Sequence, residues 1–180
     1  MIAMKRVVPW AVACVAALFL GWYVSDASKP LPPMEPGDAA ATADARPSVE
    51  LKWSADLSKA LVQAKAEHKP VLLSFTGSDW CEACISLDKA VFSAADFISF
   101  ASSNFIPVQL DFPLKKLQND EVARSNAQLE EKYKVEGLPT LLVLNADGKE
   151  IWRRAGYRPK DKAADYIGLL QKAAAKSGAD

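Results

Sequence analysis

Cys81 and Cys84 are two of only three cysteines in this chain of 180 residues. The third, Cys14, lies in an apolar run near the N-terminus. Thiols three residues apart on a helix place their alpha carbons about 5 Å apart, within disulfide reach. Such a pair toggles between dithiol and disulfide with little backbone movement. Cys81 falls at the expected start of a helix, where free N–H groups and the helix dipole favour the thiolate, the nucleophilic form. That position leaves it partly exposed, while Cys84, one turn later on the same face, is more sheltered. Cys81 would attack a partner's disulfide to give a mixed disulfide, and Cys84 would attack that bond and release the reduced partner.

Other uses of two thiols remain open at this point. A zinc site needs two more ligands, and outside the apolar run the chain offers only His68, its one histidine, and carboxylates. A structural disulfide closing so small a loop constrains the unfolded chain little. Two thiolates suit Cu(I), so a copper carrier is the alternative from a different functional class. Thiol–disulfide exchange itself calls for no cofactor and no metal.

The elements around the pair follow from apolar spacing. Ser54 can cap a helix with Leu57, Ala60, Leu61 and Ala64 on one face, ended by His68-Lys69-Pro70. His68 reads as a favourable charge at that helix end. Val71–Phe75 is a short apolar run, the pattern of a buried strand, and Thr76-Gly77-Ser78-Asp79 is a turn into a helix over Cys81–Phe92. A short helix over Ala94–Ala101, capped by Ser93, precedes a strand over Phe105–Leu110. A helix over Asn119–Tyr133 leads to a strand over Thr140–Leu144, and Asn145-Ala146-Asp147-Gly148 turns into a strand over Glu150–Arg154. A last helix covers Lys160–Lys176. Strands alternating with helices and closing in a hairpin predict an α/β fold, a central mixed sheet with helices on both faces.

The first 27 residues read as a targeting segment. Lys5 and Arg6 precede an apolar stretch from Val7 to Val24. That stretch is long for a cleavable signal and near the lower limit of about 17 residues for a membrane span. Signal peptide and signal anchor are both compatible with it, and either exports the rest of the chain. Residues 28–48, rich in Pro and Ala without an apolar period, read as a linker, and residues 49–180 as the folded domain. Lysine and arginine together match aspartate and glutamate, 22 against 22, with no long basic run, which argues against nucleic acid as a partner.

Lys69-Pro70-Val71-Leu72-Leu73, Trp80-Cys81-Glu82-Ala83-Cys84 and Val135-Glu136-Gly137-Leu138-Pro139-Thr140, in this order, resemble the thioredoxin superfamily. More narrowly they are similar to the C-terminal thioredoxin-like domain of the bacterial membrane thiol:disulfide interchange reductase, and to small exported thioredoxin-like proteins. The resemblance covers about residues 49–176. It implies a thioredoxin fold, a cis Leu138–Pro139 bond beside the dithiol, pairing of the Leu138 backbone with an extended substrate segment, and a Trp80 that shields the dithiol and contacts partners. The N-terminal segment sets the expected location, the periplasm or another extracytoplasmic compartment, with an anchor in the inner membrane if that segment is not cleaved.

Two departures from that family bear on mechanism. Ser74 stands where many thioredoxins carry a buried aspartate that moves a proton from the second cysteine, so either water, Glu82 or Asp79 does the task or the second step is slower. No histidine lies between the cysteines, and Asp79 and Glu82 flank Cys81. Their negative charge disfavours the thiolate by about 0.5 kcal/mol, roughly 10 mV for a two-electron couple, so it nudges the pair toward a reductant or isomerase. The expected partners are disulfide-bearing exported proteins and a membrane electron donor, with a client-specific binding module as a further alternative.

Overall fold

Residues 50–177 are described by the computed structural model. Cys14 and the residues read from the sequence as a targeting segment and a linker lie outside the described residues. The elements run α1 (Leu57–Glu67), β1 (Val71–Thr76), α2 (Glu82–Leu87), α3 (Ala95–Asn104), β2 (Ile106–Asp111), α4 (Asp120–Lys132), β3 (Thr140–Leu144), β4 (Glu150–Ala155) and α5 (Ala163–Ser177). A π-helical turn over Asp88–Phe92 continues α2.

β1 is parallel to β2 and antiparallel to β3, and β3 pairs antiparallel with β4, so the sheet order is β2-β1-β3-β4. This is the mixed sheet that the alternation of elements predicts. On one face Leu57, Ala60 and Ala64 of α1, with Tyr133 after α4, pack on Val71, Leu73 and Phe75. On the other, Leu87, Val91, Phe97 and Tyr166 pack on Leu72, Leu141 and Val143. Every residue of β1 is buried, because both faces are covered. Each buried leucine there contributes about 1.5–3 kcal/mol of transfer free energy, which fixes the strand and the turn that leaves it.

Three helix starts differ from the sequence expectation. Asp56, not Ser54, caps α1, accepting the Lys59 N–H at 3.0 Å. The Ser54 backbone is drawn instead onto the outer edge of β2, donating to the Pro107 carbonyl (3.0 Å) and accepting the Gln109 N–H (2.9 Å). Ala94, not Ser93, precedes α3, without a side-chain cap. The π turn takes up the extra residue, since its closing bond runs from the Ser93 N–H to the Asp88 carbonyl at 2.9 Å. α5 starts at Ala163 rather than Lys160, because Asp161 is held in an ion pair by Arg154. His68 ends α1 in the left-handed region (φ 52°), its N–H on the Ala64 carbonyl. That places it at the opposite end of β1 from the cysteines.

Candidate functional site: a dithiol at a helix start beside an apolar groove

β1 delivers the chain to a tight turn. The N–H groups of Trp80 and Cys81 both donate to the Gly77 carbonyl, at 3.4 and 3.0 Å. Cys81 is extended (φ −83°, ψ 102°) and serves as the cap of α2. Its sulfur accepts the backbone N–H of Cys84 at 3.2 Å. The two cysteines form a disulfide with alpha carbons 5.2 Å apart, as a single helical turn requires. Cys81 is 8% exposed and Cys84 3%. The order of shelter is the expected one, but Cys81 is far less open than the sequence suggests. Its sulfur turns back over the first turn of α2 to meet that N–H.

Gly77 fits Trp80 by close approach. A Cβ at Gly77 would lie 2.6 Å from Cε2 and Nε1 of the indole. Trp80 stays 43% exposed while its Nε1 donates to the Phe112 carbonyl at 2.7 Å. Trp80, the residue before Cys81, and Leu138, the residue before Pro139, line one groove of about 530 Å³ with Phe112, Leu114 and Val135; neither cysteine is among the lining residues. The Leu138–Pro139 peptide is cis. Pro139 is buried, and its carbonyl accepts the Gly156 N–H at 2.7 Å.

The remaining expected residues scatter. Asp79 offers its carboxylate to the loop after β2, accepting the N–H groups of Leu114 (3.0 Å), Lys115 (2.8 Å) and Lys116 (2.9 Å). Those bonds, the Leu114 N–H first, hold its carboxyl below the usual range, outweighing an opposing cost of burial that exceeds either lysine N–H alone. A carboxylate so held is a weak base, and its oxygens are committed to the loop. Glu82 is exposed on the first turn of α2 and does not line the groove. Ser74 is fully buried, and its hydroxyl has no hydrogen-bond partner among the described residues. By strand alternation it shares a face with Leu72, the face covered by Leu87 and Val91 beyond the dithiol.

Sequence reasoning missed the clamp that joins the dithiol turn to the groove. Asp111, the last residue of β2, accepts the Ser78 N–H (2.8 Å) and hydroxyl (2.6 Å). Its carbonyl in turn accepts the side-chain amides of Gln118 and Asn126, both at 2.9 Å. Asn126 is the buried residue of an otherwise exposed or half-exposed α4. A lone polar side chain at a core position of α4 was the available signal.

A family described as a thioredoxin-like domain matches residues 57–171. The chain is 36% identical over 126 residues to the disulfide bond reductase DsbH of Chlamydia pneumoniae, covering 70% of this chain and 74% of that protein. It is 33% identical over 114 residues to the thiol:disulfide interchange protein DsbD of Vibrio cholerae, covering 62% of this chain but only 18% of that longer protein. Among solved structures, a DsbH oxidoreductase superposes with a TM-score of 0.65 at 33% identity, over 82% of this chain and 94% of the other. Fold, cysteine pair and relatives agree: the chain belongs to the thioredoxin-like domain family and is a disulfide oxidoreductase of that kind.

Proposed function

We propose that this protein reduces or isomerises disulfides in exported proteins, with Cys81 as nucleophile and Cys84 as resolving thiol. The observation that carries the reading is the N–H of Cys84 aimed at the Cys81 sulfur at the start of α2. A thiolate at Cys81 accepts the same bond, and hydrogen bonds to charged groups are worth about 1.5–3 kcal/mol. The nucleophile is therefore stabilised by a donor that is already in place.

Electrons balance within the pair. The Cys81 thiolate attacks one sulfur of a substrate disulfide, whose S–S bond breaks and whose other sulfur leaves as a thiolate. Cys84 gives up its proton and attacks the Cys81 sulfur, the substrate's second thiol departs, and the protein holds the Cys81–Cys84 disulfide. The substrate has gained two electrons and the protein has lost two. Trp80 and Leu138 hold the substrate segment beside the sulfurs, and Pro139 shapes the turn that presents Leu138. Resetting the pair in an oxidising compartment needs a donor, and a membrane electron donor of the DsbD type fits a domain exported behind an apolar N-terminal segment.

The test is the equilibrium reduction potential of the full chain against glutathione. A value near the thioredoxin figure of about −270 mV supports the reductase reading, and one near about −120 mV replaces it with an oxidase. A Cys84→Ala variant, lacking the resolving thiol, should accumulate mixed disulfides with exported proteins.

A further inference from the structure

The groove that Trp80 and Leu138 share, reached from the dithiol through the neighbours of Cys81 and Pro139, carries a charge pattern that thiol exchange does not need. Its lining is mostly apolar, and its volume of about 530 Å³ lies in the range of specific ligand clefts. The charged side chains that line it are Glu130 and Glu136, with no cation among the lining residues. Neither carboxylate joins an ion pair among the described residues. Arg153 feels the charge of Glu136. Its guanidinium, however, is committed to Glu150 and to the carbonyls of Tyr133 and Lys134. Lys115 and Lys116 lie outside the lining, next to Leu114, and the charge of Lys116 acts on Asp79. An apolar trough with two uncompensated carboxylates favours an occupant that brings its own cation.

We propose, resting on the reductase reading above, that the groove takes an extended cysteine-bearing segment of a partner protein that is apolar beside its cysteine and carries Lys or Arg within a few residues. Glu130 and Glu136 are its specificity-determining residues. The formal net charge of the whole chain is +0, so long-range attraction does not by itself sort basic from acidic segments. The local pair of carboxylates does.

The test uses the pre-reduced full chain in single turnover. Two peptides share an apolar sequence and one cysteine, carried as its mixed disulfide with 5-thio-2-nitrobenzoate. They differ only in having Lys or Glu at the flanking positions. Cys81 attacks the peptide sulfur, the coloured aryl thiolate leaves, and Cys84 then displaces the peptide thiol, so the two electrons come from the protein. The Lys peptide should react about fivefold faster at low ionic strength, the size of one or two exposed ion pairs. The ratio should shrink toward one in about 1 M salt, where the Debye length is about 3 Å. In Glu130→Gln/Glu136→Gln it should be near one, and in Glu130→Lys/Glu136→Lys it should invert, which misfolding cannot mimic.

A wild-type ratio near one, or a ratio that these variants leave alone, overturns the proposal. Hydroxyethyl disulfide, small and uncharged, separates the two readings. If it is reduced while the peptides are not distinguished, the groove assignment fails and the redox assignment stands. If neither it nor either peptide is reduced, both fail.

Discussion

The N–H that Cys81 accepts at 3.2 Å belongs to the main chain of Cys84, not to its thiol. Replacing the Cys84 side chain therefore leaves the donor in place. In the reduced protein Cys81 should be alkylated by iodoacetamide at pH 7 about tenfold faster than a free cysteine, and equally fast in Cys84→Ala. Loss of that excess rate in Cys84→Ala would assign the effect to the second thiol instead.

Asp79 fastens the loop that forms one wall of the groove. Its carboxyl is lowered in the folded protein, chiefly by the Leu114 N–H. A lowered carboxyl contributes fully above its ordinary value of about 3.9, and that contribution is lost as the pH falls through the folded value. The loop should therefore be held at neutral pH and loosen only in acid. Asp79→Ala should reproduce the loosening at neutral pH, lowering the exchange protection of the Leu114, Lys115 and Lys116 amides about tenfold. Asp79→Asn, which keeps one acceptor oxygen, should cost less. Unchanged protection in the alanine variant would show that the loop stands without this anchor.

Gly77→Ala should destabilise the protein by about 1–3 kcal/mol, because the new methyl would meet the Trp80 indole at 2.6 Å. The indole must move, and its bond to the Phe112 carbonyl must break or stretch. In Gly77→Ala/Trp80→Ala the cost of the methyl should largely vanish. A double-mutant cycle by denaturant unfolding reads this coupling, and additive effects would exclude it.

Ser74→Ala should leave stability unchanged or raise it by up to about 1 kcal/mol, since the buried hydroxyl has no partner to lose among the described residues. Urea unfolding of the oxidised full chain measures it. A loss above about 1 kcal/mol would mean that Ser74 holds a partner in solution, with Cys84 the first to examine.

What could be read in advance was local. β3 was legible to the residue, Thr140–Leu144, because Pro139 bounds its apolar run on one side and an Asn-Ala-Asp-Gly turn bounds it on the other. The dithiol was legible because three residues along a helix fix its geometry whatever surrounds it. The helix starts were less so, since Ser54 and Asp56 are both competent caps and the choice fell to β2, which claims the Ser54 backbone. Of the clamp, Asn126 left a trace in the sequence, but its pairings and those beside it did not. The Ser78–Asp111, Trp80–Phe112 and Asp79–Leu114 bonds join residues 32 to 35 positions apart, and no local pattern records such pairings. Nor does spacing reveal that Glu130 and Glu136 share a groove with Trp80, for the fold alone gathers them.

Ser54 on the flank of β2 has a consequence for behaviour at high concentration. A parallel strand at the margin of a sheet is an invitation for another chain to add itself. Here Pro107 has no N–H to offer on that side, and Ser54 already takes the Gln109 N–H. Self-association by strand addition is thus discouraged before any second molecule arrives. A shortened protein beginning at Asp56 would give up that guard while keeping its thiols, and would be the more prone to clump.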